Sequence, residues 1–508
     1  MFKRLMQLIQ QTLQKLAGYK TVDDVVQNSD VYKINSDMQN AIDLWRDMYK
    51  DESPWLNYDE GVYSLNLPGT ICNNLANMVL CEVKTEINTP GATDNKGDNN
   101  ITTRNTRASY LNDIYNKHIM EVISNQMEKA MAVGGMIIKP YLSNGSIYFD
   151  FSLQGEFYPL GFNDDGDITD IAFIDQFIEG NMQYTRLERQ NFANNTVTVI
   201  NKAFRIQIDK VDDDTQEDLG YEIPLTSVER WINIEPEVVI ENMERPLYGY
   251  YKVPNSNSVD LSSPLGVSVF SKAVKVIERA DRQFSRLDWE YEGGQIAIDV
   301  DPSAMRSNVG YYGTSNMDNL KNRIYRQIDL GTDETYKAFT PQLRDAQYNN
   351  GLNSYLCKIE DLCGIARGTL AEVTAEARTA TEIKILKQRT YVTLANNQHA
   401  LEKCLKDVMY AADAYAELYE LAPKGDYVLN IEWSDSILND TDTELTQRMT
   451  LQSAGILSKA EVRSWYTGED IDTAKAMVQE ISDSDNASMM NDIFNTTTNN
   501  PTLENEGE

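Results

Sequence analysis

Residues 264–292 carry two sets of side chains at helical spacing. The apolar set is Phe270, Ala273, Val274, Ile277, Ala280, Phe284 and Leu287. The cationic stripe is Lys272, Lys275, Arg279, Arg282 and Arg286. Because a helix turns by about 100° per residue, the mean directions of the two sets are nearly opposite. The pattern predicts a helix that starts after a cap at Ser262 or Ser263, packs through its apolar face and presents the cations outward.

Upstream of this helix, the pattern predicts helices followed by a meander of strands. Helices are predicted at residues 2–50, 65–80 and 109–132, with a strand at 81–87 and a loop at 88–100. Further strands are predicted at residues 136–141, 146–151, 168–177 and 196–208. Asn144-Gly145 and Asp165-Gly166 indicate hairpin turns, since both dipeptides tolerate positive φ.

Downstream, the pattern predicts a strand-rich insert and two further helices. Residues 295–300 and 323–330 alternate apolar and polar positions, which predicts two strands. A second helix follows Pro341 and ends near residues 364–368. A third helix runs over residues 379–421 and spans roughly 60 Å at about 1.5 Å per residue. The expected fold class is α+β and mainly helical.

Composition describes a large, acidic, globular protein. A chain of 508 residues with 41% hydrophobic content can form more than one core, so about two to four domains are expected. The net charge of −32 argues against a general nucleic-acid-coating protein but does not exclude a local basic site. The 5 cysteines form no CxxC pair, which indicates a reducing, cytosolic origin. The opening residues predict an amphipathic helix, and no apolar run is long enough to span a membrane.

The sequence offers little material for catalysis or metal binding. His118 and His399 each lack a His or Cys three or four positions away. Neither a G-x-S-x-G elbow nor a GxxxxGK[ST] phosphate loop is present. Asp164, Asp165 and Asp167 crowd around a turn glycine instead of alternating as calcium ligands do. We therefore expect no catalytic residue, no metal site and no cofactor.

Five segments together resemble the portal proteins of tailed bacteriophages, in particular the type found in phages of Gram-positive hosts. In chain order they are SLNLP (64–68), AVGGMIIKPY (132–141), SSPLGVSVFSKAVKVIERAD (262–281), TATEI (379–383) and DSILNDTDTELTQRMTLQSAGILSKAEVRSWYTG (435–468). Each segment is weak alone, but their order and spacing are those of the family, and they extend over most of the chain.

The resemblance implies a portal-type architecture of wing, stem, clip and crown, assembled as a ring of usually twelve copies around an axial channel. The implied parts are the wing at residues 1–262, the first stem helix at 263–294, the clip at 295–340, the second stem helix at 341–366, a tunnel loop at 367–378, a long wing helix and strand at 379–434, the crown at 435–482 and an acidic tail at 483–508. Low hydrophobicity and high charge predict that the tail is disordered.

The implied function is the passage of double-stranded DNA into and out of the capsid at one vertex of the virion, after assembly in the bacterial cytoplasm. The implied partners are other copies of the chain, the large subunit of a terminase, the major capsid or scaffold protein and a head–tail adaptor, without a membrane. Because the chain lacks a phosphate loop, ATP hydrolysis would belong to the terminase. The alternative is another ring, adaptor or head-completion protein of the virion, although those chains are typically shorter.

The resemblance gives the charged residues two alternative uses. The cationic stripe would contact phosphates in the channel without reading sequence. Alternatively, Arg279, Arg282 and Arg286 would pair with acids such as Glu278, Asp281 and Asp288 of a neighbouring subunit. The tunnel-loop candidates are Glu372, Thr374, Glu376 and Arg378, and an ordinary loop between helices is the simpler interpretation of them. An ordinary solvated helix face is likewise the simplest interpretation of the stripe.

Overall fold

Long antiparallel strands between residues 157 and 207 build the largest sheet of the molecule. The structure is a computed structural model that describes residues 19–21, 34–81, 83–90, 105–208, 218–294, 297–300, 325–327, 336–339, 341–372, 380–433 and 441–483. The chain divides into two units, residues 1–433 and 434–508.

The first unit mixes helices and strands along its length. Its helices are α1 (Ser36–Tyr49), α2 (Leu67–Leu80), α3 (Thr106–Tyr115), α4 (Ile123–Val133), α5 (Val274–Gly293), α6 (Asp345–Cys363) and α7 (Ala380–Leu418). Its strands are β1 (Tyr19–Thr21), β2 (Lys84–Asn88), β3 (Gly135–Ser143), β4 (Ser146–Leu153), β5 (Phe157–Phe162), β6 (Ile168–Glu179), β7 (Met182–Ala193), β8 (Thr196–Gln207), β9 (Asp218–Ile223), β10 (Glu237–Glu241), β11 (Gly249–Lys252), β12 (Ala297–Val300), β13 (Tyr325–Gln327), β14 (Tyr336–Phe339) and β15 (Val428–Glu432).

The largest sheet has seven strands in the order β1-β9-β8-β7-β6-β5, with β10 paired to β8. Successive side chains of a strand point to opposite faces, and both faces of β6 are covered. Ala172 packs in a cluster with Leu187 and Phe204. Its neighbour Phe173 packs in a separate cluster with Tyr248. The sheet is therefore an inner layer of the unit along β6.

A second sheet, in the order β11-β3-β4, lies under α7. The segment that precedes α5 packs against the start of β3, where Gly266 lies against Gly134. A Cβ atom on Gly266 would overlap the carbonyl oxygen of Gly134. The backbone N–H of Val269 donates to the carbonyl of Met131 at 3.0 Å. Two segments of the sequence resemblance, AVGGMIIKPY and SSPLGVSVFSKAVKVIERAD, are thus in direct contact.

This packing corrects the predicted start of the cationic helix. Residues 264–270 are not helical, and α5 begins at Val274 after a short 3-10 turn at Ser271–Ala273. Residues 265–270 are all buried, including Leu265, Val267 and Val269, so this stretch packs on every side and shows no helical burial period. The caps predicted at Ser262 and Ser263 are wrong for the same reason.

The two later helices agree with prediction, and α5 and α6 form an antiparallel pair. The second helix ends as predicted, at Gly364, which has a φ of 73°. The third, α7, is 39 residues long. Between α5 and α6, β12 pairs in parallel with β13 and antiparallel with β14. The strand β14 was not predicted.

The remaining differences lie in the first half of the chain. The helix predicted at residues 2–50 is wrong at Tyr19–Thr21, which pair as a strand with β9, and correct at α1. The described residues contain the predicted strands β2, β3, β4, β6 and β8. Strands β5, β7, β9, β10 and β11 were missed. Within the predicted helix 109–132, a π-helical turn at Asn116–Met120 separates α3 from α4.

The second unit is helical where the structure describes it. It contains α8 (Thr441–Ser453), α9 (Lys459–Thr467) and a helical stretch at residues 471–483. Ser458 and Glu461 form a reciprocal capping box at the start of α9. The guanidinium of Arg448 lies 4.4 Å from the ring centre of Trp465, which joins α8 to α9. The tail predicted to be disordered lies outside the described residues from residue 484 onward.

Candidate nucleic-acid interface

The cationic stripe lies on the exposed side of α5 and its preceding turn, as predicted. All five of its members are exposed or partly exposed: Lys272, Lys275, Arg279, Arg282 and Arg286. On the opposite side, Phe270, Ile277 and Ala280 are fully or almost fully buried. Burial of that apolar side fixes the rotation of the helix about its axis, and the rotation in turn points the cations outward.

One cation of the stripe is neutralised within the chain. Arg282 pairs with Glu278, one turn earlier on α5, at 3.1 Å. Such exposed pairs contribute little to stability, roughly 0.3–0.5 kcal/mol. In the described part of the chain, the other four members of the stripe make no ion pair with an acid. The stripe therefore keeps most of its positive charge available.

Asp281 belongs to the buried side of α5. Its carboxylate accepts a hydrogen bond from the indole Nε1 of Trp55 at 2.9 Å and one from the backbone N–H of Leu65 at 3.0 Å. Burial raises the pKa of Asp281. Ser285 accepts a third bond at this seam, from the backbone N–H of Tyr63 at 2.9 Å. These bonds attach the middle of α5 to the segment that precedes α2.

A surface cleft of about 450 Å³ opens where this segment meets the far half of α5. Arg282 and Arg286 line it together with Trp289 and Tyr348. The side chain of Trp289 is 66% exposed, which is high for a residue of its size. The cleft thus combines two guanidinium groups with aromatic surface.

The end of α5 is clamped to the start of α6. Glu290 accepts from Arg344 Nη2 at 2.7 Å, from its Nε at 3.2 Å and from its backbone N–H at 3.1 Å. Further along, the amide of Gln283 donates to the carbonyl of Tyr348 at 3.3 Å. The bidentate geometry holds the antiparallel pair together at the end where α5 finishes and α6 starts.

The tunnel-loop candidates are only partly within the described residues. Glu372 is exposed, and its backbone N–H and carbonyl bond to the side chain of Asn353 at 2.8 and 2.9 Å. Thr374, Glu376 and Arg378 lie outside the described residues. The structure therefore brings Glu372 onto α6, and the placement of the other three stays a prediction.

Sequence reasoning missed two residues that bind the backbone of the candidate tunnel loop. Glu360 is fully buried and accepts backbone N–H groups from residues 368, 370 and 371. Asn353 binds the backbone of Glu372. The available signal was an acid placed beside apolar Ile359 and Cys363, just before the glycine that ends the helix. Asp361, next to it, pairs with Arg367 and Arg389 at 2.8 Å each.

The acidic run and the two histidines considered in the sequence lie in ordinary structural surroundings. Within the described ranges, no group of three or more His, Cys, Asp or Glu is placed to hold a metal ion. The run at Asp164 to Asp167 is a hairpin turn, closed by the Gly166 N–H donating to Asn163. His118 packs against Tyr148 with ring centres 4.6 Å apart and the rings tilted by 49°, and His399 is exposed on α7. In the part of the chain that is described, no helix has the length and apolarity to cross a membrane.

Comparison with known proteins agrees with the resemblance of the five segments. A family model described as "Phage portal protein, SPP1 Gp6-like" matches residues 26–489. A search of curated proteins found no match. The matched range contains all five segments, both helices of the α5–α6 pair and the cationic stripe. The predicted resemblance is confirmed.

Proposed function

This chain belongs to the SPP1 Gp6-like phage portal family, and we propose that its copies form a dodecameric ring around an axial channel for double-stranded DNA. The family is a structural one, of the virion capsid and of viral DNA packaging. The observation that carries the proposal is the extent of the match, which runs over residues 26–489 of 508. A head-completion protein or another virion adaptor would not account for so long a match to portal proteins.

In the proposed ring, α5 and α6 are the stem of each subunit. At about 1.5 Å per residue, a 20-residue α5 is roughly 30 Å long. Residues 295–340 leave the stem at the end clamped by Glu290 and Arg344, which suits a clip. Residues 367–378 leave it at the other end, which suits a tunnel loop. The wing then comprises residues 1–262 and 379–434, and the second unit supplies the crown.

The cationic stripe suits weak contact with a sliding duplex. A ring repeats each cation once per subunit, so the stripe would form successive rings of positive charge. Long, exposed Lys and Arg side chains neutralise phosphates without reading bases, and such contacts weaken with salt. The rest of the acidic chain repels DNA, which limits adhesion elsewhere.

The alternative is that the stripe pairs with acids of a neighbouring subunit, but few acids on α5 are available for such pairs. Asp281 is buried and bonded to Trp55, and Glu278 is paired with Arg282. Of the three expected partners, Asp288 is exposed and makes no ion pair in the described part of the chain. The small number of available acids on α5 favours contact of the stripe with DNA over pairing with a neighbouring subunit.

The proposed partners follow from the channel. A terminase large subunit would supply ATP hydrolysis, since the chain lacks a phosphate-binding loop. The major capsid or scaffold protein would surround the wing at one vertex, and a head–tail adaptor would close the clip after packaging. Assembly would take place in the host cytoplasm.

Prohead packaging tests the proposal directly. Proheads assembled with this chain should, with the cognate terminase and ATP, protect full-length DNA from nuclease. Proheads assembled without it should protect none. Equal protection in both preparations would contradict the proposal.

A further inference from the structure

The chain that leaves α6 turns back and runs along the same helix. We call residues 368–372 the loop root; they belong to the part of the candidate tunnel loop, residues 367–372, that the structure describes. The backbone of the loop root is bonded by side chains of α6. Backbone groups of a loop are usually satisfied by water or by neighbouring backbone, so capture by a helix side chain is informative.

Glu360 is the first of two anchors. One oxygen, Oε1, accepts from the backbone N–H groups of Gly368 at 3.0 Å, Leu370 at 2.6 Å and Ala371 at 3.0 Å. The residue is fully buried, and its other oxygen, Oε2, has no hydrogen-bond partner among the described residues. Burying a carboxylate is costly unless several donors compensate it, so the three N–H groups are needed to keep Glu360 in place.

Asn353 is the second anchor. Its side-chain amide donates to the carbonyl of Glu372 at 2.9 Å, and its side-chain oxygen accepts from the N–H of Glu372 at 2.8 Å. Asn353 and Glu360 are seven residues apart, which places them on one face of α6, roughly 10 Å apart along its axis. The loop root thus lies against α6, held at Gly368 by Glu360 and at Glu372 by Asn353.

The contacts to α7 lie earlier in the connection. Thr393 of α7 donates to the carbonyl of Gly364 at 2.9 Å, and Arg389 of α7 pairs with Asp361 of α6. These contacts join α7 to the end of α6. The backbone N–H groups of residues 370 to 372, in contrast, all donate to side chains of α6. Movement of α6 therefore carries the loop root with it.

We infer that Glu360 and Asn353 are positioning residues that couple the candidate tunnel loop to the second stem helix. The inference rests on the proposed function. Because both anchors bind backbone groups, the coupling does not depend on the side chains of the loop root. Force that moving DNA applies to the loop would pass to the stem through these bonds, and the height of the loop in the channel would follow α6.

Hydrogen exchange read by mass spectrometry tests the anchors on the full-length wild-type protein and on Glu360→Ala and Asn353→Ala. Peptides covering residues 368–372 should exchange faster by about tenfold or more in Glu360→Ala, because three amides lose their acceptor. Glu360→Gln should fall between wild type and Glu360→Ala, since a neutral oxygen still accepts but more weakly. Asn349→Ala, an exposed asparagine one turn earlier on α6, is the matched control for Asn353→Ala and should exchange as wild type does.

DNA retention then distinguishes a role of these residues in positioning the loop from a purely structural role. Heads filled by Glu360→Ala or Asn353→Ala rings of wild-type mass should lose packaged DNA when ATP is removed, while Asn349→Ala heads should retain it. Unchanged exchange at residues 368–372 in Glu360→Ala would overturn the anchoring. Faster exchange with wild-type retention would overturn the coupling to DNA. A wild-type protein that fills no heads would overturn the proposed function, and with it the DNA role, while the exchange result would still decide the anchoring.

Discussion

The carboxylate of Asp281 accepts a hydrogen bond from the indole of Trp55 at 2.9 Å, across 226 positions of sequence. A second bond, from the backbone N–H of Leu65, completes the contact. Asp281 thus links the helix that carries the cationic stripe to the segment that precedes α2. It also explains why an acid in the middle of the stripe's helix is turned away from solvent.

We predict that Asp281→Ala destabilises the protein by about 1–3 kcal/mol, because two partly buried donors lose their acceptor. Chemical denaturation at fixed protein concentration measures the change. Asp288→Ala, two turns later on the exposed side of α5, should change the free energy of unfolding by less than about 0.5 kcal/mol. Equal effects of the two substitutions would show that the bond to Trp55 is not a source of stability.

Reversing charge on the stripe separates its two uses. Lys275→Glu combined with Arg279→Glu should leave the ring intact but reduce packaging, because attraction to phosphates is replaced by repulsion. The slope of log affinity for duplex DNA against log salt should fall in magnitude by about 0.9 for each phosphate that the variant no longer neutralises.

Arg282→Gln is the control for that pair, since Arg282 is already neutralised by Glu278. It should affect packaging less. Normal packaging by well-formed Lys275→Glu, Arg279→Glu rings would rule out DNA contact. Rings that fail to form would instead favour pairing between subunits.

Acid should weaken the large sheet through Glu188. Burial raises the pKa of this carboxyl. The cations Lys139 at 3.0 Å and Arg186 at 3.2 Å have the opposite and larger combined effect, so the pKa falls to about 2. Because the folded pKa lies below the ordinary value of 4.5, the contribution to stability is complete above pH 4.5 and is lost as the pH falls toward 2. The loss for this group is about 3 kcal/mol.

Denaturation curves at several pH values between 2 and 6 check this prediction, with roughly half-unit steps sufficient to follow one titration. Glu188→Gln should show a shallower decline in stability than wild type over that interval. Parallel declines in the two proteins would mean that Glu188 does not contribute to acid sensitivity.

Because Gly134 and Gly266 are in close contact, a single methyl group added at Gly266 should have a strong effect on stability. Gly266→Ala should lower stability by about 1–3 kcal/mol, because the new Cβ would overlap backbone that cannot move aside. Gly293→Ala, at the end of α5, is the control, since its Cβ would meet no atom within 4 Å. Thermal unfolding of both variants decides the matter, and an unaffected Gly266→Ala would contradict the close approach.

The sequence predicted α5 well where burial follows the helical period, and badly where it does not. Ile277 and Ala280 are buried at helical spacing, so the face opposite the cations was predicted correctly. Leu265 and Val267 are apolar as well, but the position of this stretch is set by contacts such as that of Gly266 with Gly134, which lies far away in sequence. A local pattern does not contain that information.

Strand β7 and the loop root show two further limits. Thr185, Glu188 and Gln190 are buried on β7 beside apolar Leu187, so most of its buried positions are polar and the alternation of hydrophobicity disappears. Glu360 and Asn353 bind backbone groups, which every residue possesses, so no side-chain partner marks them in the sequence. The cationic stripe was visible because its chemistry is local to one helix.

The mass and symmetry of the purified full-length protein test the central claim most directly. Native mass spectrometry with negative-stain class averages should show a ring of about a dozen subunits with a central hole, in keeping with closed cyclic symmetry. A persistent monomer or dimer at high concentration, unchanged by addition of capsid and scaffold proteins, would contradict the account.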